Sequence, residues 1–124
     1  MSRSDELYRR ARRERPEDVA GLVAEDATWD GAEGTRWKRC TNRAEIVQTM
    51  MWRANALKLR PRETLELGSF DVVSLRGRHL RTVGGRGFFS QQLFQVVTWR
   101  NGKVVSIQDY RRREDALAAA GVAG

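Results

Sequence analysis

The stretch from Phe88 to Ala120 constrains this chain more than any other part of it. Two apolar runs meet there at Asn101-Gly102, the strongest short-range signal for a β-hairpin. The first run, Phe88 to Trp99, is unusually long for a single strand. A strand of that length is expected to bend, and a bent antiparallel sheet presents a concave face suited to a ligand. The second run ends in Asp109-Tyr110, and a charged step leads from it into an Ala-rich helix over Arg113–Ala120, closed by Gly121.

Upstream the chain is mostly helical. Asp5 to Glu14 reads as a helix with Leu7, Tyr8 and Ala11 on its apolar side. Pro16 opens a second helix, with Glu17 and Asp18 in the first turn, where the helix dipole favours carboxylates. Val19, Leu22 and Val23 give that helix a buried stripe that runs out near Glu25-Asp26, before a short strand over Ala27-Thr28-Trp29. Gly31 to Gly34 is a loop, and Trp37 to Cys40 a brief strand leaving it. Asn42 and Glu45 form a capping-box-like start to an amphipathic helix over Arg43–Leu57, with Ile46, Val47, Met50, Ala54 and Leu57 inward. Pro61 forbids its continuation. Beyond it the hydrophobic period becomes two, giving strands over Thr64–Leu67, Phe70–Leu75, His79–Val83 and Val104–Tyr110 around the long one, which Gly84 to Gly87 turns into. Helices followed by a strand meander, without β-α-β alternation, predict an α+β fold: three N-terminal helices packed in a strongly curved antiparallel sheet, with a short C-terminal helix.

The totals bound the function classes. With 124 residues and 40% hydrophobic content, residues 1–124 suffice for one domain with a single core. No apolar run is long enough to span a membrane, and the charged segment Met1 to Arg15 lacks the apolar middle of a secretory signal, so a cytoplasmic protein is expected. One Cys, Cys40, and one His, His79, cannot build a conventional zinc site, and no metal or organic cofactor is expected. Cys40 reads as a buried, inert thiol. The net charge of +7 raises the question of nucleic acid. The bases are almost all arginine, however, and spread along the chain, and no nucleic-acid-binding motif is present. Nucleic acid is therefore the least favoured partner.

Three segments together carry a family resemblance: Val19 to Trp29, Asn42 to Ile46, and Trp99 to Val105 with Asp109-Tyr110. Over roughly Asp5 to Ala120 the chain resembles the NTF2-like superfamily, and within it the SnoaL-like branch of polyketide cyclases, steroid isomerases and an epoxide hydrolase. The resemblance implies a cone of sheet around helices, an apolar small-molecule pocket, and a homodimer through the outer sheet face, here offered by Phe88, Phe94, Val96 and Thr98. It implies a catalytic role for Asp109, at the end of an apolar row with Val105 and Ile107. Asp30 lies one residue early for the isomerase branch's base, and Gln95 falls where that branch has its second acid, as an oxyanion donor. Tyr8 is the possible counterpart of that branch's helix tyrosine. The epoxide-hydrolase branch needs an Arg-x-Asp pair, for which Arg76-Gly77-Arg78 supplies no carboxylate.

From the residues themselves, Leu93, Gln95, Val97 and Trp99 form the inward row of the long strand. Gln95, as its polar member, needs a partner or a ligand. Trp29, Trp37, Trp52 and Trp99 are candidates to line a pocket for a flat molecule. The substrate-binding set is thus Gln95, Trp99, Trp29, Val105, Ile107, Val97 and Met50, with Asp109 and Asp30 as candidate acid or base. Asp109 has a structural alternative in an ion pair with Arg111 or another arginine, Asp30 in a turn, and His79 on the outer sheet face. Two functions stand ahead of nucleic-acid binding. One is cofactor-independent proton transfer, of the isomerase or cyclase type, on an apolar carbonyl compound. The other is a noncatalytic dimeric ligand-binding or assembly domain.

Overall fold

A computed structural model describes residues 1–122 except 34, 36, 79 and 81–90. Of the predicted strand His79–Val83 only Leu80 is described, and it is buried and helical where a strand was expected. The turn Gly84–Gly87, Phe88 and the start of the long strand lie outside the described residues, as does the placement of His79.

Helix α1 (Arg3–Arg12) begins two residues earlier than expected because Ser2 caps it. The Ser2 hydroxyl accepts from the Asp5 amide at 3.0 Å, and the Asp5 carboxylate accepts from the Ser2 amide at 3.3 Å. Helix α2 (Pro16–Ala20) is shorter than expected. Gly21 caps it, and Leu22 and Val23 leave for strand β1 (Val23–Asp30), so the stripe read as helical supplies a strand start instead. Helix α3 (Arg43–Ala56) starts as expected at Asn42, whose side chain accepts from the Glu45 amide. The return arm differs: Glu45 accepts from the Thr41 amide and hydroxyl, which lowers its pKa. Trp37 to Cys40 contributes only a single bridge, Cys40 to Trp29.

Strands β2 (Arg60–Leu67), β3 (Phe70–Arg76), β4 (Gln92–Arg100) and β5 (Lys103–Tyr110) follow, then helix α4 (Arg113–Ala119), terminated at Gly121 with φ 83°. The β4–β5 turn is the expected one, with Asn101 at φ 53° and Gly102 at φ 76°, the two positive values a type I′ hairpin requires.

The five strands form one sheet in the order β1-β5-β4-β3-β2. Four are antiparallel neighbours, but β1 runs parallel to β5, from Val23 beside Val104 to Asp30 beside Gln108. The sheet is therefore mixed, where an antiparallel one was expected. A parallel pair needs a long crossover, and everything between β1 and β5 in the chain supplies it.

The inner face, bearing Val73, Leu75, Leu93, Val97 and Ile107, packs with Leu7, Tyr8 and Ala11 of α1 and Ile46, Met50 and Ala54 of α3. The outer face bears Val72, Phe94 and Val96, and these lie beneath Ala116 and Leu117 of α4. Phe94 and Val96 were expected to offer a dimer surface; the chain's own last helix covers them. The resulting order is helices, sheet, helix, and the inner layer holds the polar groups of interest.

Candidate functional site

Among the described residues, five charged or polar ones are buried: Ser4, Arg53, Asp71, Gln95 and Asp109. Burying such groups costs free energy unless each is paired, and here the pairing sorts them into two clusters.

The first centres on Asp109, which is 1% exposed. Its Oδ1 accepts from Trp29 Nε1 and from Gln95 Nε2, both at 2.9 Å, and its Oδ2 accepts from Arg53 Nη1 at 2.8 Å. Since a carboxylate only accepts, Gln95 must turn its amide nitrogen toward Asp109. The amide oxygen then faces Tyr8, whose hydroxyl donates to it at 2.6 Å. Burial is the main cause of a raised Tyr8 pKa, with the Asp109 charge adding to it. The Arg53 guanidinium stacks on two rings, 4.3 Å from the Trp29 centroid and 3.8 Å from that of Trp37. Its Nε has no hydrogen-bond partner among the described residues.

The second cluster ties α1 to the sheet. Arg3 grips the Asp71 carboxylate through Nε and Nη2, and Ser4 donates to the same group. Trp99 Nε1 donates to Ser4 Oγ at 3.2 Å, and Arg3 lies over the Trp99 ring. Trp99 is four residues beyond Gln95 on β4, about 13 Å at strand rise. It therefore belongs to this anchor and not to the Asp109 cluster.

The sequence-derived candidates thus separate. Asp109, Gln95, Trp29 and Tyr8 come together. Val97 and Ile107 are buried on the same face, and Met50 is buried in the core on α3. Val105 is displaced: Thr98 pairs with Ser106 but Trp99 pairs with Val104, so Val105 is a bulge residue. The bulge changes the phase of alternation, so Val104 takes the buried place and Val105 is half-exposed. Asp30 is also displaced. Alternation on β1 turns Ala27 and Trp29 inward and Asp30 outward, where it pairs with Arg39 at 2.7 Å on a half-exposed surface. The expected arginine partner of Asp109 exists, but it is Arg53 and not Arg111. Sequence reasoning missed Arg53 altogether. Its signal was spacing: it stands seven residues after Ile46 and three after Met50, a charge on the buried stripe of α3.

Arg53 connects this cluster to the surface. A cleft of about 390 Å³ opens beside it, lined by Trp37, Lys38, Arg39, Cys40, Glu45, Gln48, Thr49 and Trp52. Trp52 is 46% exposed, an unusual position for so large an apolar ring. Cys40 is buried, with its sulfur 3.4 Å from Thr49 Oγ1. Among the described residues no group of three or more His, Cys, Asp or Glu could hold a metal ion, and no helix is long and apolar enough to cross a membrane.

No protein-family sequence model matches the chain, and no curated protein matches it by sequence. Solved structures do. A ketosteroid isomerase-like protein from Catenulispora acidiphila, in complex with trimethylamine, superposes with a TM-score of 0.62 at 15% identity, over 98% of this chain and 94% of that one. A candidate polyketide cyclase from Sinorhizobium meliloti gives 0.61 at 16% identity, over 86% and 92%. An NTF2-like protein of unknown function from Cytophaga hutchinsonii gives 0.61 at 11%, over 89% of each. The chain has the NTF2-like fold. Fold at this identity does not assign a reaction.

Proposed function

We propose that this is a ligand-binding NTF2-like domain whose ligand occupies the Trp37–Trp52–Arg53 cleft. The ligand class is a small flat molecule, apolar in its rings and carrying one anionic or carbonyl oxygen. The observation that carries this reading is Arg53. It is a nearly fully buried guanidinium, anchored at one nitrogen by Asp109 and flanked by two indoles, and it lines an open cleft. Asp109 holds Arg53 in that pose, and a flat ring stacks on Trp52. Among the described side chains lining the cleft three are cationic, Lys38, Arg39 and Arg53, and one is anionic, Glu45, which supports an anionic or carbonyl oxygen on the ligand.

The test is calorimetric titration with 2-naphthoate and with 2-naphthalenemethanol, which has the same rings without the charge. Naphthoate is expected to bind more tightly, and Trp52→Ala to weaken both by about tenfold, the loss of one stacking contact of about 1.4 kcal/mol. Equal affinity for the two probes, or indifference to Trp52→Ala, would remove the cleft as the site.

A second reading is cofactor-independent proton transfer, isomerase- or cyclase-like, on an apolar carbonyl compound, with Asp109 as the acid or base. It is supported by the placement of a buried carboxylate at the heart of this fold. Against it, Gln95 spends its donor on Asp109, where an oxyanion donor would face substrate. Asp109→Asn distinguishes the two: turnover of an enolisable ketone that disappears in this variant, with naphthoate affinity retained, favours the enzyme. A homodimer through the outer sheet face would be built from what α4 leaves open there, Thr98 with Leu65, Leu67 and Phe70.

A further inference from the structure

A second concavity, of about 490 Å³, lies where β2 and the end of β3 meet the α3–β2 connection, and apart from Gly77 its lining among the described residues is cationic: Lys58, Arg60, Arg62, Arg76 and Arg78. Arg12 is close enough to contribute to the lowering of the Arg60 pKa, after burial. None of these six cations takes part in an ion pair among the described residues, and residues 79 and 81–90 contain no acidic side chain.

The clustering is built, not incidental. Arg60 and Arg76 sit directly opposite each other on β2 and β3, an arrangement of like charges that destabilises a sheet. Arg62 is the bulge residue of β2, between the Pro61 and Glu63 pairings. Lys58 has φ 51°, a left-handed conformation that costs a non-glycine residue, and it carries the chain from α3 into β2. Gly77 lets the end of β3 press against that connection: a Cβ there would stand 2.9 Å from the Leu57 carbonyl oxygen. The Arg78 amide donates to this same oxygen. Arg60 is pinned through Nη1 to the Ala54 and Leu59 carbonyls. Edge strands carry charge to discourage aggregation, which would account for Arg60 and Arg62 on β2. It does not account for Lys58, Arg76 and Arg78 converging on the same hollow from two other segments.

We propose that this hollow is a binding site for a small polyanion bearing two or three phosphate groups, separate from the Trp52 cleft. Arginine forks match phosphate oxygens, and five cations around one concavity neutralise several charges at once. A small anion is favoured over a nucleic-acid strand because the cations gather around one concavity and, among the described residues, no aromatic ring for base stacking lines it.

The experiment is calorimetric titration of the full chain with tripolyphosphate, alongside a single-stranded oligonucleotide. The variants are Arg62→Gln/Arg76→Gln and, as a control at the opposite end of the sheet, Arg100→Gln. Far-UV circular dichroism establishes that each is folded. Expected are one-to-one binding of tripolyphosphate that weakens with salt, at least about a tenfold loss in the double variant, and no change in the control. Absence of binding, or equal weakening in the control, overturns the site. Oligonucleotide affinity that exceeds that of tripolyphosphate and grows with strand length overturns it in favour of a nucleic-acid surface.

Discussion

At the scale of single residues, Arg53 and Asp109 decide what this interior can do. Each is buried, and each is tolerable only because the other is there. Arg53→Met should therefore cost about 3–5 kcal/mol by chemical denaturation, since it strands a carboxylate, whereas Arg53→Met combined with Asp109→Asn should cost less than the sum of the singles. Tyr8 provides a pH signature of the same cluster. Its folded pKa is raised by burial, so the native state keeps a proton that the unfolded chain releases. The associated stability is whole below about pH 10, the ordinary tyrosine value, and falls as pH rises above it. Tyrosinate absorbance from Tyr8 should accordingly appear only with unfolding, and Tyr8→Phe should flatten this alkaline loss. Asp109 and Gln95 were legible in the sequence because alternation placed a charge and an amide in apolar rows. Arg53 was not noticed because a helical arginine is ordinarily read as solvated, and only its spacing from Ile46 and Met50 says otherwise. Asp30 points outward by the same alternation that buries Trp29, and Val105 was misplaced for a local reason. Period-two alternation holds only between bulges, and no residue in Val104-Val105-Ser106 announces one.

At the scale of elements, α1 is held to the sheet through its first turn. Arg3 and Ser4 both close on Asp71, and Trp99 completes the contact from β4. Asp71→Ala removes the common acceptor and leaves Ser4 buried with only the Trp99 indole as a partner, a loss of about 1–3 kcal/mol. The loss should be local. Hydrogen exchange is expected to quicken across Arg3–Arg12 while β4 and β5 keep their protection, and uniform loss across the sheet would contradict the anchoring role. The elements that were legible are those with strong end signals: Asn42 for α3, Asn101-Gly102 for the hairpin, and Gly121 for α4. Helix α2 was overextended because Leu22 and Val23 continue an apolar spacing that suits a helix face and a strand start alike. The pairing of Val23 with Val104 settles it, and that contact is far away in the chain.

At the scale of the whole molecule, the order helices, sheet, helix leaves two separate concavities as the proposed sites, an indole-lined cleft and a cationic hollow. The α+β class was legible from helices preceding strands. The parallel pairing of β1 was not, because it depends on which strand is left to cover the open edge of β5. The covering of Phe94 and Val96 by α4 was not legible either, since an Ala-rich helix does not show from its sequence which sheet face it will seat on. The central claim is that ligand meets the molecule at Arg53, and the four tryptophans report on it from different places. In a naphthoate titration followed by indole N–H resonances, Trp37 and Trp52 should shift in parallel and saturate at one equivalent. Trp99, locked to Ser4 at the far anchor, should stay still. Movement of Trp99 with Trp52 unmoved would place the ligand elsewhere and contradict the account.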